Sequence, residues 1–299
     1  MKILLLGANG QVGWELRRAL APLGEVVACD RAKADLAQLD RLRAVVRDTK
    51  ADIIVNAAAY TAVDKAESEP DLATLINATA VGLLAEEAAR AQALLVHYST
   101  DYIFDGTKTK PYVETDTANP LSRYGLSKYQ GEDAIRATGA RHLIFRTSWV
   151  YAPRGKTFPS TMLNLARSRP QLTVVADQVG APTSAELIAD VTALALGRLA
   201  GREHLLGTYH LTAAGSTSWH AYAQLLLRLA AAKGYALKAT ADQVLPITTA
   251  AYPTPAKRIA TSRLATDKLR AAFGLTLPAW DASLGRFLEE LPQPGTNTP

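Results

Sequence analysis

The sequence predicts a doubly wound α/β fold, a parallel sheet covered by helices on both faces, followed by a smaller and discontinuous α/β unit. Short aliphatic runs without polar alternation recur through the first half, the pattern of strands buried on both faces. Longer stretches of helical period separate them, the crossover that a parallel sheet requires. Three glycines, Gly7, Gly10 and Gly13, follow the first aliphatic run directly, a cost in regular structure that makes sense where side chains would obstruct something else.

In chain order, KILLLG, VGWELRRALAPLG and EVVACD read as strand, helix and strand. ADLAQLDRLRAVVRDTK is helical in its later part, ADIIVNAAA is a strand, and EPDLATLINATAVGLLAEEAARAQ is one long helix opened near Pro70. ALLVHYST and HLIFRTSW are further strands, with the helix SKYQGEDAIRATG between them. After Trp149 turn-rich pieces alternate with the helices SAELIADVTALALGRLAG and HAYAQLLLRLAAAKG. The expected division is residues 1–152 with 184–212 as one domain and 153–183 with 213–291 as the second. The tail 292–299, PQPGTNTP, is expected to be loose.

Composition excludes several classes. With 33 basic and 28 acidic residues the net charge is +5, and the basic groups are scattered, which argues against nucleic acid and suits a small anionic ligand. The single cysteine, Cys29, permits no internal disulfide, and the first aliphatic run is too short for a signal peptide. No uninterrupted apolar stretch reaches the ~18 residues of a spanning helix. A cytoplasmic protein without a membrane partner is the expectation.

The strand, glycine turn and helix at the N-terminus form the first βα unit of a dinucleotide fold. There the backbone lets a pyrophosphate approach the unpaired N–H groups of a helix N-terminus. Gly7 allows the tight turn, Gly10 the close approach and Gly13 the contact of helix with strand, while Gln11 and Val12 open the helix. The spacing is G-x-x-G-x-x-G. The second strand ends in Asp30 and Arg31. The acid suits the adenosine ribose hydroxyls of NADH, and the adjacent base suits the 2′-phosphate of NADPH, so both cofactors stay open. Asp35 and Leu36 follow and lie near the adenine if the strand-end loop folds over it.

Tyr124 and Lys128, four residues apart on one helix, share a face. A phenol near pKa 10 is a poor proton donor at neutral pH, and a neighbouring ammonium favours its ionised form. Thr100 ends the strand VHYST, where a parallel sheet presents its ligands, and its hydroxyl is placed to hold a carbonyl oxygen beside Tyr124. Alone, Tyr-x-x-x-Lys is a weak signal, but behind a glycine turn and a Ser99-Thr100 strand end it is a strong one.

The glycine turn, NAAA, STDYIFDG, Tyr124-x-x-x-Lys128 and FRTSWVYAP together resemble the extended short-chain dehydrogenase/reductase superfamily. Within it, GQVGWEL, NAAAYTAVDKAESEP, INATAV, HYSTDYIFDG, DQVGAPTSAELIAD and AYPTPAKR…SRL are similar to the dTDP-4-dehydrorhamnose reductase family, over nearly the whole chain. The resemblance implies hydride transfer from a nicotinamide to C4 of a keto-deoxysugar carried on dTDP. Tyr124 would protonate the alkoxide, Lys128 would hold the nicotinamide ribose and keep Tyr124 acidic, and Thr100 would hydrogen-bond the carbonyl. It further implies that Ala59, Tyr60, Thr61 and Tyr98 line the cofactor, that Asp101 and Trp149 contact the sugar, and that Lys257 and Arg258 pair with the diphosphate. Members that hold a divalent cation such as Mg2+ between two copies direct attention to Glu15, Glu186 and Glu290, and to a homodimer. Lone helical glutamates are otherwise solvated.

Two alternatives carry different chemistry. A sugar-nucleotide 4,6-dehydratase, or an epimerase, would share the glycines and the Tyr-Lys pair. Dehydration, however, calls for an Asp-Glu acid/base pair after the threonine, and here Asp101 is followed by Tyr102. A non-catalytic dinucleotide-binding regulatory subunit would not need Thr100, Tyr124 and Lys128 intact.

Overall fold

The computed structural model describes residues 1–291; the tail 292–299, expected to be loose, lies outside the described residues. Six parallel strands form the main sheet: β1 (Lys2–Leu6), β2 (Glu25–Cys29), β3 (Ile53–Asn56), β4 (Leu94–Thr100), β5 (His142–Thr147) and an edge strand Gly207–His210. Their spatial order is β2, β1, β3, β4, β5 and the edge strand. The order reverses between β1 and β3, and a doubly wound sheet opens its ligand crevice outside the strand ends at such a reversal.

The helices are α1 (Gln11–Leu20), α2 (Leu39–Thr49), α3 (Pro70–Thr74), α4 (Ala80–Ala91) and α5 (Arg123–Ala137). Alternate strand residues serve opposite faces. Ile3, Leu5, Val55, Val96 and Phe145 pack under α1 with the helices Ala185–Gly197 and Asp267–Phe273. Leu4, Leu6, Ile54, Leu95 and Ile144 meet α2, α4 and Ile135 of α5. A separate core of Tyr151, Leu163, Val174, Tyr222, Leu226 and Phe287 holds the second unit together. The segment 213–291 divides between the two: Leu269, Phe273 and Leu277 pack into the first core, beside the main sheet.

Two elements differ from the sequence expectation. The long helix from Pro70 is interrupted by a π-turn at Leu75–Thr79. The edge strand Gly207–His210 carries no aliphatic run, because it pairs on one side only, with β5. The helical stretch Pro70–Ala91 has the length and mean hydropathy, 1.2, of a membrane span. Its apolar residues Val81, Leu83 and Leu84 instead pack against the sheet.

Candidate active site

The glycine turn is shaped by contacts that a side chain would destroy. Gly7 has φ +76, and a Cβ on Gly13 would fall 2.0 Å from the Gly7 carbonyl oxygen. Helix α1 therefore starts directly against the end of β1, with Gly10 as its N-cap and no side chain capping it. Its first N–H groups are open to an anion. The Gln11 Oε1 atom is buried there without a hydrogen-bond partner, an acceptor that a ligand O–H or N–H would satisfy and a phosphate oxygen would not. Val12 is half-buried against the core. The glycine turn and the open N–H groups of α1 fit a dinucleotide pyrophosphate.

At the end of β2, Asp30 accepts hydrogen bonds from Asn9 Nδ2 at 3.2 Å and from the Lys33 N–H at 3.1 Å. The Arg31 side chain is 80 % exposed and donates to Asp35 at 3.1 Å. Asp35 is held below the ordinary carboxylate range by the Ala37 N–H and then by Arg31, against its burial. Leu36 is buried in the core beneath α2, so the aliphatic wall it provides lies under the strand-end loop.

After β3 the chain runs through Ala59, Tyr60 and Thr61, half-buried to exposed. Asn77, in the π-turn, fixes this run: its Oδ1 accepts from the Tyr60 N–H at 2.9 Å and its Nδ2 donates to the Tyr60 carbonyl at 3.0 Å and to Ser127 Oγ at 3.0 Å. One buried amide thus ties the cofactor-side loop to α5. A Cβ on Gly131 would fall 2.1 Å from the Asn77 carbonyl oxygen, so α5 can reach the π-turn only with glycine there. Ring placement of Tyr60 is set by Glu69, which accepts from its hydroxyl at 2.7 Å and pushes the phenol up to about 12.

Helix α5 starts at the Ser122 cap, which accepts from the Gly125 N–H, and carries Tyr124 and Lys128 on the face turned to β4. Tyr124 meets the ring of Tyr102 edge-on, with centroids 5.6 Å apart. Burial pushes its phenol up, and the Thr100 hydroxyl opposes that by hydrogen bonding. Thr100 ends β4, is 5 % exposed and donates to Asp101 Oδ1 at 3.0 Å. Thr100 and Tyr124 are therefore brought together as expected.

Lys128 is enclosed by the sheet and α5. It is 2 % exposed, and its Nζ donates to the Tyr98 carbonyl at 2.6 Å and lies 3.2 Å from His97 Nε2. Burial lowers its pKa to about 8, with Glu132 acting the other way. Tyr98 contributes its carbonyl. Its ring lies on the other face of the sheet beside Phe145, with the hydroxyl 2.9 Å from Thr192 Oγ1.

The sugar side is partly enclosed. Asp101 is buried among hydroxyls: Ser148 Oγ donates to it at 2.9 Å and Thr100 at 3.0 Å. Burial raises its pKa while Ser262, Ser148 and Thr100 oppose the rise. Asp101 therefore faces protein groups and reaches the cleft through Thr100. Trp149, two residues past β5, holds φ +49, a strained conformation for a bulky residue. Its ring stacks on Trp219 at 3.5 Å and 7°, an aromatic wall that the sequence marked only by Trp149.

Arg258 donates to Asp64 at 2.6 Å from Nη2, and its Nη1 is buried without a partner. Lys257 beside it is exposed. The three glutamates line one small cavity with Arg286 but are already paired with arginines. Glu186 lies 2.6 Å from Arg286, Glu15 lies 3.6 Å from Arg18, and Glu290 accepts from Arg286 at 2.7 Å. Among the described residues no group of acidic, histidine or cysteine side chains is arranged to hold a metal, so this donor set does not fit a cation within one chain.

Asn56, His97, Asp64, Ser148, Ser262 and Trp219 escaped sequence reasoning. For the first two a signal existed, since polar residues ending the otherwise aliphatic runs IIVN and LLVHYST stand where a parallel sheet presents its ligands.

A glycine cradle at the sheet's reversal point, with threonine, tyrosine and lysine at the ends of β4 and α5, defines an extended short-chain dehydrogenase/reductase. The family described as RmlD substrate binding domain matches residues 1–293. A dTDP-4-dehydrorhamnose reductase of Burkholderia thailandensis is 50 % identical over 296 residues, covering 97 % of this chain and 99 % of that protein. The crystal structure of a Clostridium acetobutylicum dTDP-4-dehydrorhamnose reductase superposes with a TM-score of 0.87 at 37 % identity, covering 97 % and 99 % of the two chains. A Bacillus anthracis dTDP-4-dehydrorhamnose reductase, solved in complex with NADP, gives 0.86 at 33 % identity over the same shares. The chain belongs to the dTDP-4-dehydrorhamnose reductase family.

Proposed function

We infer that this chain reduces the C4 keto group of dTDP-4-dehydro-L-rhamnose, giving dTDP-L-rhamnose. The observation that carries the reading is the meeting of Thr100 and Tyr124 at the strand end beside a glycine cradle, in a chain of this family. A bound nicotinamide dinucleotide supplies hydride to C4. The protein's part is to hold and protonate the oxygen: Thr100 turns its hydroxyl proton from Asp101 Oδ1 to the carbonyl, and the Tyr124 hydroxyl gives its proton to O4 as negative charge develops there. Burial keeps the phenol protonated, the form an acid needs. Lys128, beneath the tyrosine on α5, is the cation available to the phenolate left behind.

The missing second carboxylate after Asp101 supports reduction over dehydration. Asp101 itself is walled in by hydroxyls, unsuited to moving protons on carbon. Asp30 and exposed Arg31 at one strand end support use of both NADH and NADPH. The Trp149/Trp219 wall supports a sugar face, and the bare Arg258 Nη1 supports a diphosphate contact. Purified protein with dTDP-4-dehydro-L-rhamnose and either cofactor tests the reading. Cofactor oxidation with formation of dTDP-L-rhamnose, identified by NMR, is expected. Binding of cofactor without turnover would point to the non-catalytic subunit instead.

A further inference from the structure

Beneath the reaction site runs a buried polar chain that the proposed chemistry does not use. Asn56 Oδ1 accepts from the Ala58 N–H at 3.2 Å, which orients the amide so that Nδ2 donates to His97 Nδ1 at 3.2 Å. His97 is 1 % exposed, and burial together with nearby Lys128 holds it well below the usual imidazole range. The ring is neutral, and with Nδ1 accepting, its one proton sits on Nε2. That nitrogen lies 3.2 Å from Lys128 Nζ. An ammonium has three donors and no lone pair, so Nε2–H against it is donor facing donor. A free amine has the lone pair this contact needs. The ammonium is matched only by the other tautomer, which requires Asn56 to turn Oδ1 toward the ring and release the Ala58 N–H.

We propose that His97, keyed by Asn56, is a positioning residue for Lys128, and that its tautomer governs how readily Nζ holds a proton. This rests on the reading of Lys128 as the cation of the reductase. Of the neighbouring charges only Glu132 favours the ammonium, and it does not outweigh burial. From α5, Tyr124 and Glu132 face the lysine, but Glu132 is taken by Arg146 of β5 and by Arg136. Asp101, past the end of β4, is occupied by hydroxyls, and β3 and the π-turn contribute the uncharged Asn56 and Asn77. The Ala58 peptide that orients Asn56 also packs on the glycine turn, where a Cβ on Gly7 would fall 2.7 Å from its nitrogen. The cofactor cradle and Lys128 thus share one hydrogen-bond chain.

Two substitutions test the tautomer in opposite parts of the chain. Asn56→Asp places a carboxylate that accepts from both the Ala58 N–H and His97 Nδ1–H, leaving Nε2 to accept from the ammonium. His97→Gln lets an amide oxygen do so directly. Both are expected to move the alkaline limb of kcat/KM upward by about one pH unit, the scale of one hydrogen bond made to a charged group. In the cofactor-free protein, 15N NMR of the His97 ring should find the proton on Nε2 in the wild type and on Nδ1 in Asn56→Asp. An Nδ1–H wild-type ring, or an alkaline limb unmoved in variants that still turn over, would overturn the proposal. If the wild type fails to reduce the dTDP sugar, the functional reading falls while the NMR result still decides the role of His97.

Discussion

Lys128 and Glu132 stand one turn apart on α5, both buried, and their surroundings are opposite. Glu132 is fully enclosed and accepts from Arg146 Nη2 at 2.7 Å, from Arg146 Nε at 2.9 Å and from Arg136 at 3.0 Å. Burial pushes its pKa up, and Arg146 leads the groups that bring it down on balance. Lys128 has only a carbonyl and a neutral imidazole at hand. A buried charge with counterions in good geometry fastens α5 to β5, whereas one without them is free to respond to what binds above it. The same helix is anchored by one turn and does chemistry with the next.

Removing the acid on the chemical turn should have the largest effect. Tyr124→Phe is expected to lower kcat by about two to four orders of magnitude, the scale of a general acid. Cofactor affinity and the unfolding midpoint should stay near wild type. Steady-state kinetics with calorimetric cofactor titration check this, and near-normal turnover would remove the tyrosine from the mechanism.

The anchoring turn should show the reverse pattern. Arg146→Met leaves Glu132 buried with only Arg136, and breaking such a pair costs about 3–5 kcal/mol of stability. Urea unfolding measures it. Replacing Glu132 by Leu in the same protein should recover most of the loss, because the penalty belongs to the orphaned carboxylate rather than to the missing attraction. A single Arg146→Met variant as stable as wild type would mean that the two turns do not differ in this way.

The two groups should also give pH dependences at opposite ends of the scale. The folded pKa of Lys128, about 8, lies below that of an unfolded lysine. Between the two values the unfolded chain binds more protons, so stability attributable to Lys128 rises with pH, by about 3 kcal/mol at most. The Lys128→Met variant should lack that rise, so the wild-type-minus-variant difference in stability should climb with pH between the two values. Glu132 has its folded pKa depressed, so its contribution is present above the ordinary glutamate pKa and lost as pH falls through the folded value. A Lys128→Met difference curve that stays flat on the alkaline side would show that the lysine is not held against its charge.

What the sequence revealed of this contrast was one-sided. Tyr124 and Lys128 were legible because a spacing of four on a helix is a local fact, and the glycine turn was legible because close backbone approach demands glycine. The partners were not. His97 contacts Lys128 from 31 residues away, and Arg258 reaches Asp64 across 194; such pairings exist only once the sheet is assembled. The π-turn at Asn77 carries no glycine or proline to mark it, since its cause is tertiary: the side chain of Asn77 bonds both Tyr60 and Ser127. The edge strand Gly207–His210 was hidden for the opposite reason, its register being set by β5 rather than by hydrophobic pattern.

Between the anchored and the responsive charge lies an intermediate case at the cleft. The Arg258 side chain is 18 % exposed and Asp64 is 42 % exposed, so water screens their contact. Such pairs contribute about 0–1 kcal/mol. Asp64→Asn should therefore barely move the unfolding curve. Yet Asp64 also accepts from the Ala256 N–H at 3.2 Å, and its two bonds together aim a guanidinium whose Nη1 has no partner. If that bare atom awaits a diphosphate oxygen, loosening the aim should cost binding more than folding. Arg258→Ala is expected to weaken dTDP about tenfold, the value of one charge-assisted bond, and Asp64→Asn by a few-fold. Titration calorimetry with dTDP at two salt concentrations separates the outcomes, because losing a phosphate contact should also reduce the salt dependence. Equal affinities in all three proteins would make the pair a screened surface bridge, and would leave Lys128 and Glu132 as the two ends of a contrast with nothing between them.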